Sequence, residues 1–260
     1  MSVSYRLEGE VAVITLARPE RFNSVSADLS RGLIDALARA GAESRAAVLT
    51  GAGKAFCAGA DLADLMGEYE TGGPDLARVI DSRFNPIVRA LLEARVPTIA
   101  AVNGAAAGAG VGLALACDLR VFSSVAYLLS AFIGLALIPD TGSTWLLVRH
   151  LGLSRALELT TTNRRMGAEE AASLGLGPVV APADLLSRAL AIATDLSSGP
   201  TGAYPVNRRI LYEAAGHDLE AALENERVTQ GRLGTQPLHL EGMRAFLEKR
   251  TADFRRVSGT

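Results

Sequence analysis

Several things are scarce in this chain, and each shortage narrows what it can do. Among 260 residues there are two cysteines, Cys57 and Cys117, far apart and each in an apolar setting. That is neither a disulfide framework nor a metal-ligand spacing, and it suits a reducing compartment. The three histidines, His150, His217 and His239, fall in helical patterns without ligand spacing, so packing or surface roles are expected of them. Net charge is −2 and no Lys/Arg stripe occurs, which gives no reason to expect nucleic acid as a partner. There is no G-x-S-x-G elbow, and neither cysteine has a histidine near it in sequence, so nucleophile signatures are missing. The opening MSVSYRLEGE lacks a basic-then-apolar signal pattern, so a soluble cytoplasmic protein is the expectation. Apolar residues are not scarce: 49% hydrophobic against 21% charged allows a sizeable core.

Residues 96–118, VPTIAAVNGAAAGAGVGLALACD, are the most informative stretch. A β-rich apolar run turns at Asn103-Gly104, passes through Gly and Ala, and closes on Asp118. This reads as a buried strand feeding a helix N-terminus, where free backbone N–H groups point outward and small residues let a ligand approach. Gly108, Gly110 and Gly112 form G-x-G-x-G, and the third glycine of a dinucleotide fingerprint would fall on Leu113. The run is uncharged from residue 96 to 117, but Pro97, Asn103 and the Gly-rich middle suit a strand–turn–helix better than a membrane span.

Elsewhere, residues 3–16 alternate as two strands around Gly9-Glu10. Ser26 or Asp28 can cap a helix to about residue 40, and residues 46–50 form a short buried strand before a Gly-rich loop. A polar segment at 68–74 reads as a mobile loop, and one helix is expected over 76–93. Alternating strands and helices argue α/β with buried parallel strands. After residue 183 the pattern is helical throughout, at 185–197, 201–215, 219–233 and 238–250, which suggests a cap or an assembly element.

Two Gly/Ala loops recur at strand ends, 56–61 and 104–110. Two backbone N–H groups aimed at one point would stabilise the oxyanion of an activated carbonyl, and backbone donors need only small side chains around them. Among carboxylates, Asp140 stands out between LALIP and Thr141-Gly142-Ser143. It is either a helix N-cap or a carboxylate at the end of an apolar wall, where desolvation would raise its pKa toward that of a useful base. Asp61 and Asp118 read as structural.

Taken together, RPERFNS at 18–24, LTGAGKAFCAGADL at 49–62, PTIAAVNGAAAGAG at 97–110, LALACD at 113–118, LALIPDTGSTWLL at 135–147 and EGMRAFLEKR at 241–250 resemble the crotonase (enoyl-CoA hydratase/isomerase) superfamily. The match covers essentially the whole chain. The resemblance implies a spiral of β-β-α units over residues 1–199, with the acyl-CoA site, and a helical trimerisation and CoA-capping region over 200–260. It implies a trimer or a dimer of trimers, and an acyl-CoA thioester as partner. No cofactor is implied, since coenzyme A is part of the substrate. By position the oxyanion-hole donors are the N–H groups of Ala60 and Ala109. Coenzyme A contacts fall on Arg21, Ala58 and Leu62, and on Phe246 and Lys249 of a neighbouring subunit.

Hydratases of the superfamily carry two glutamates at positions that here read Gly112 and Phe132. Water addition wants one group to activate water and another to deliver a proton, so hydration is not the expected activity. Asp140 matches the place where several isomerases of the superfamily put a single catalytic carboxylate. The expected activity is therefore acyl-CoA isomerisation. The IPD-x-G-x-TWLL run, the AAGAG turn and FNPIVRALLE at 84–93 resemble the members of the superfamily that act on ring-epoxidised phenylacetyl-CoA, which is the substrate this resemblance implies. Gly112, Phe132 and Leu137 are the expected acyl pocket. An aliphatic enoyl-CoA enzyme and a non-catalytic CoA-binding scaffold are the alternatives.

Overall fold

The computed structural model describes residues 2–69 and 72–257. Its first elements are the hairpin strands β1 (Val3–Glu8) and β2 (Val11–Leu16), turning at Gly9 with φ +60°. Helix α1 (Ala27–Glu43) follows, and Ser26 rather than Asp28 caps it by accepting a hydrogen bond from the Leu29 N–H. The next strands come in pairs: β3 (Ala46–Gly51) with β4 (Ala55–Cys57), then, after the short helices α2 (Met66–Tyr69) and α3 (Leu76–Val79) and helix α4 (Asn85–Leu92), β5 (Thr98–Val102) with β6 (Ala105–Ala107). Helix α5 (Ala109–Ala116) leads to β7 (Leu119–Ser123) and β8 (Tyr127–Leu129). The chain continues through α6 (Ser143–Leu151), α7 (Leu153–Thr162), β9 (Arg165–Gly167), α8 (Ala168–Ser173) and β10 (Val179–Val180). It ends in four helices, α9 (Leu185–Ser198), α10 (Tyr204–Ala214), α11 (Leu219–Leu233) and α12 (Pro237–Leu247).

The pairing makes the chain a spiral. The first strand of each pair joins a six-stranded sheet ordered β1-β2-β3-β5-β7-β10, and the second joins a four-stranded sheet ordered β4-β6-β8-β9. From β2 to β10 the larger sheet is parallel, so its strands are buried on both faces. One face presents Val11, Val48, Ile99, Ala101 and Val121 to Ala189 and Ala193 of α9. The alternate residues, including Ile14, Leu49, Ala100 and Val102, face the main core with α1, α4 and α5. This is the α/β architecture with a helical C-terminal run that the sequence predicts.

Three local expectations are corrected. The helix expected over 76–93 runs without a gap to Leu92, but its regular α pattern is interrupted by a five-residue π-turn between α3 and α4. Pro86 has no N–H to donate to the preceding turn, and such a break is where a π-turn forms. The Gly-rich turn at 103–104 leads into β6 before the helix starts, and residues 55–57 are a strand, not a loop. Of the loop expected at 68–74, residues 70 and 71 lie outside the described residues. Among the described residues no helix is long and apolar enough to cross a membrane.

Candidate functional site

Strands β4, β6 and β8 are parallel neighbours, so their C-terminal ends open at one edge of the small sheet. Ala58–Leu62 follow β4, Gly108-Ala109 follow β6, and the segment from Ser130 to Asp140 follows β8. Gly108 N–H donates to Leu129 O at 2.9 Å, which ties the second of these ends to the third.

The first two loops approach through glycine. Gly59 has φ +91°, and a Cβ there would lie 2.9 Å from Ala107 O and 3.3 Å from Ala109 N. A side chain would therefore push the loops apart. Ala60 pairs with Val25 in an isolated parallel bridge. Val25 N–H donates to Gly59 O and Asp61 N–H donates to Val25 O, so the residues flanking Ala60 make the bonds toward Val25. Alternation along an extended chain then turns the Ala60 N–H away from Val25, to the other side. Ala109 is the first residue of α5, and no side chain caps that helix. Within the first turn Val111 N–H donates back to Gly108 O, whereas the Ala109 N–H makes no such backbone bond among the described residues and lies at the positive end of the helix dipole. Phe132 stands over the same turn, its Cζ 3.9 Å from where a Cβ on Gly108 would be.

Asp61 is 6% exposed and its Oδ2 lies 2.8 Å from the Arg18 guanidinium, so it braces the loop. Asp118 accepts from Thr98 and forms an ion pair with Arg208. Both are structural, as the sequence predicts. The cysteines are no nucleophiles: both are buried, and burial pushes their thiols up to about 11 for Cys57 and about 12 for Cys117. Among the described residues no group of His, Cys, Asp and Glu could hold a metal ion.

Asp140 is half-buried, and its side chain does not cap α6. The N-cap is Gly142, in the left-handed region with no side-chain cap bond, and only the main-chain oxygen of Asp140 accepts from Ser143 N–H. The carboxylate instead accepts from Thr141 Oγ1 at 2.6 Å. Burial raises its pKa above the usual carboxylate value, and the Thr141 bond opposes that in part. The helix-cap alternative therefore does not account for this side chain.

Gly112, expected to border an open acyl pocket, instead faces protein. A Cβ at 112 would lie 2.2 Å from Thr141 O and 3.0 Å from Ser143 Oγ. The turn that carries Asp140 packs on α5 three residues beyond Ala109, or about 4.5 Å along the helix axis. Leu137 is at the surface, as are Ile133, Leu135 and Ile138 beside it. Arg21, Leu62, Phe246 and Lys249 are exposed, and Ala58 is half-buried. Among the described residues, none of these five is brought against Asp140 by a hydrogen bond or ion pair. A cleft of about 910 Å³ between the end of α1 and α10–α12 includes none of the candidate site residues in its lining. Thr141 is the residue that sequence reasoning misses. Its signal is a threonine wedged between an aspartate and a glycine, where a left-handed backbone is needed.

The sequence model for "Enoyl-CoA hydratase/isomerase" matches residues 6–257. The chain belongs to the enoyl-CoA hydratase/isomerase family. A Rhodobacter capsulatus protein described as "Probable enoyl-CoA hydratase" is 40% identical over 97% of each chain. The 1,2-epoxyphenylacetyl-CoA isomerase of Escherichia coli is 37% identical, covering 95% of this chain and 96% of its own length. An enoyl-CoA hydratase from Polaromonas sp. JS666 superposes with a TM-score of 0.89 at 33% identity, over 96% of this chain and 98% of that one. The fold is thus the crotonase fold of this family.

Proposed function

We propose that this family member is an acyl-CoA isomerase in which Asp140 is the single acid/base and the amides of Ala60 and Ala109 are the oxyanion hole. The observation that carries this reading is the Asp140 carboxylate itself: half-buried, raised in pKa and not engaged in capping. In the proposed reaction the carboxylate takes a proton from a carbon activated by the thioester. The C–H electron pair moves into the thioester as an enolate, whose oxygen the two N–H groups stabilise. The same proton then returns to a different carbon as the electrons move back, so nothing is oxidised or reduced. One carboxylate suffices for that transfer, whereas hydration needs a second group to manage water.

A ring-epoxidised phenylacetyl-CoA is the proposed substrate, supported by the IPD-x-G-x-TWLL run, the AAGAG turn and the 37%-identical isomerase relative. Phe132 and Leu137 would flank its ring. Hydration of an enoyl-CoA is the second reading, favoured by the 40%-identical relative. No cofactor is required, because coenzyme A arrives with the substrate. Its contacts are assigned to Arg21, Ala58 and Leu62, with Phe246 and Lys249 supplied by a neighbouring subunit of a trimer or a dimer of trimers. Exposure of 78% at Phe246 and 72% at Leu247 supports that assignment, since large apolar groups left in water mark an association surface.

The test is activity of wild type and Asp140→Asn on ring-epoxidised phenylacetyl-CoA and on 3-enoyl-CoA, with crotonyl-CoA hydration as control. Isomerisation lost in the variant, with negligible hydration in both, supports the reading. Efficient hydration that survives the substitution overturns it. No activity on any thioester, with coenzyme A still bound, would favour a binding scaffold.

A further inference from the structure

The turn bearing Asp140 is built in an unusual way for a helix entry. Thr141 has φ +54° and Gly142 φ +68°, two consecutive left-handed residues, and the first of them is β-branched. Such a residue rarely adopts this conformation and holds it only where its surroundings impose it. Here they do. Thr141 is 1% exposed, and its carbonyl fills the space that the missing Gly112 side chain leaves on α5. The result of the bend is local: the Thr141 hydroxyl folds back onto Oδ1 of Asp140, at 2.6 Å. Among the described residues the carboxylate forms no other hydrogen bond, so Oδ2 is uncommitted. A buried hydroxyl commonly takes an acceptor simply to be satisfied. The neighbouring Ser143 Oγ argues that burial alone does not force pairing here. It is equally buried beside Gly112 and has no partner among the described residues.

We propose that Thr141 is a positioning residue for the Asp140 acid/base: its hydroxyl holds Oδ1, so the proton is carried on Oδ2, and Gly112 provides the space in which this turn is seated. This rests on the isomerase reading above. The proton moves between the substrate carbon and Oδ2 only, and the Thr141 hydroxyl proton stays where it is. Fixing one oxygen sets the direction in which the other meets the substrate, and misplacement of a reacting group by about 1 Å can cost about a hundredfold in rate.

The test uses Thr141→Val, which keeps the branched shape without the hydroxyl, and Thr141→Ser, which keeps the hydroxyl without the branch. Both are compared with wild type and Asp140→Asn for kcat and KM on 3-enoyl-CoA across pH. Carbon-13 NMR of labelled aspartate, assigned through Asp140→Asn, follows the titration of the carboxyl directly. For Thr141→Val the expected result is a kcat about tenfold lower or worse with KM nearly unchanged. Its Asp140 titration and the acidic limb of kcat both move to higher pH, because the lost bond favoured the charged carboxylate. Thr141→Ser should match wild type in all of these. If Thr141→Val leaves kcat and the titration unmoved while Asp140→Asn is inactive, this inference fails alone. The same holds if Thr141→Ser is as damaging as Thr141→Val. If Asp140→Asn still isomerises, the proposed function fails, and this inference fails with it.

Discussion

The main-chain oxygen of Thr141 lies 2.2 Å from where a Cβ on Gly112 would be, so a helix position without a side chain and a turn with a left-handed threonine are one packing unit. The obstructing atom is backbone, which cannot swing aside as the tip of a flexible side chain would. A methyl at 112 must displace the turn or shift α5. Gly112→Ala should therefore destabilise the protein by about 1 to 3 kcal/mol, the usual cost of overpacking a core. Isomerase activity should fall by more than the lost folded fraction explains, and denaturant unfolding beside steady-state kinetics separates the two effects. Gly112→Glu should create no hydratase, since the added side chain meets the Thr141 carbonyl before it can reach a substrate.

Asp140 should impose a single acidic limb on the isomerisation rate. Burial raises its pKa by disfavouring the charged form, and the Thr141 bond only partly offsets this. The carboxylate is the form that accepts a proton. Activity should therefore fall as pH drops through a value above the ordinary carboxylate pKa. A kcat profile with its acidic midpoint at or below that ordinary value would contradict the assignment.

Arg208 is the clamp between α10 and the α/β body. Its side chain is 4% exposed, and it donates to both Asp118 oxygens as well as to Leu92 O, Ala94 O and Val96 O. Arg208→Ala would leave a mostly buried carboxylate and three carbonyls without that donor. Removing one partner of a buried pair costs about 3 to 5 kcal/mol, so the loss of stability should be of that order. Arg208→Lys should recover little of it, because an ammonium cannot reproduce the two-pronged contact. Unfolding midpoints of the two variants check both statements.

The fold was readable where pattern and length cooperate. Residues 3–16 alternate well enough to read as two strands, and α9 to α12 run for three turns or more, so their existence follows from periodicity, while α10 starts three residues later than the expected 201 and α12 ends three residues before the expected 250. Strands β4 and β6 were not readable, because three residues are too few to show alternation and an all-Ala strand carries no β preference of its own. They form because the spiral lays β4 against β6 and β6 against β8. Asp140 could be singled out from its apolar approach and the turn behind it. The choice between cap and base could not be made from sequence, since it depends on whether the side chain points to helix amides or to Thr141. Thr141 itself was hidden because its conformation contradicts its local preference, and tertiary packing against Gly112 overrides that preference.

His150 should make the protein acid-sensitive well above the range where carboxylates protonate. The ring sits at the end of α6, with Nε2 3.2 Å from Leu115 O. Burial first, then the Arg120 guanidinium, lowers its pKa from 6.5 to about 4. The sign follows from which state binds the proton. Between these two values the unfolded chain is protonated at this residue while the folded one is not, so acid favours unfolding across that window. The contribution of His150 to stability is fully present above pH 6.5, declines as pH falls, and levels off below about 4. The groups facing the ring reinforce this: Arg120 donates to Leu115 O, Cys117 O and Leu176 O, so a second cation at 150 would meet a buried charge already in place. His150→Gln should flatten the loss of stability between pH 6.5 and 4 relative to wild type. Thermal melts of the two proteins at steps across that window measure the difference, and parallel curves would mean that another group controls acid sensitivity.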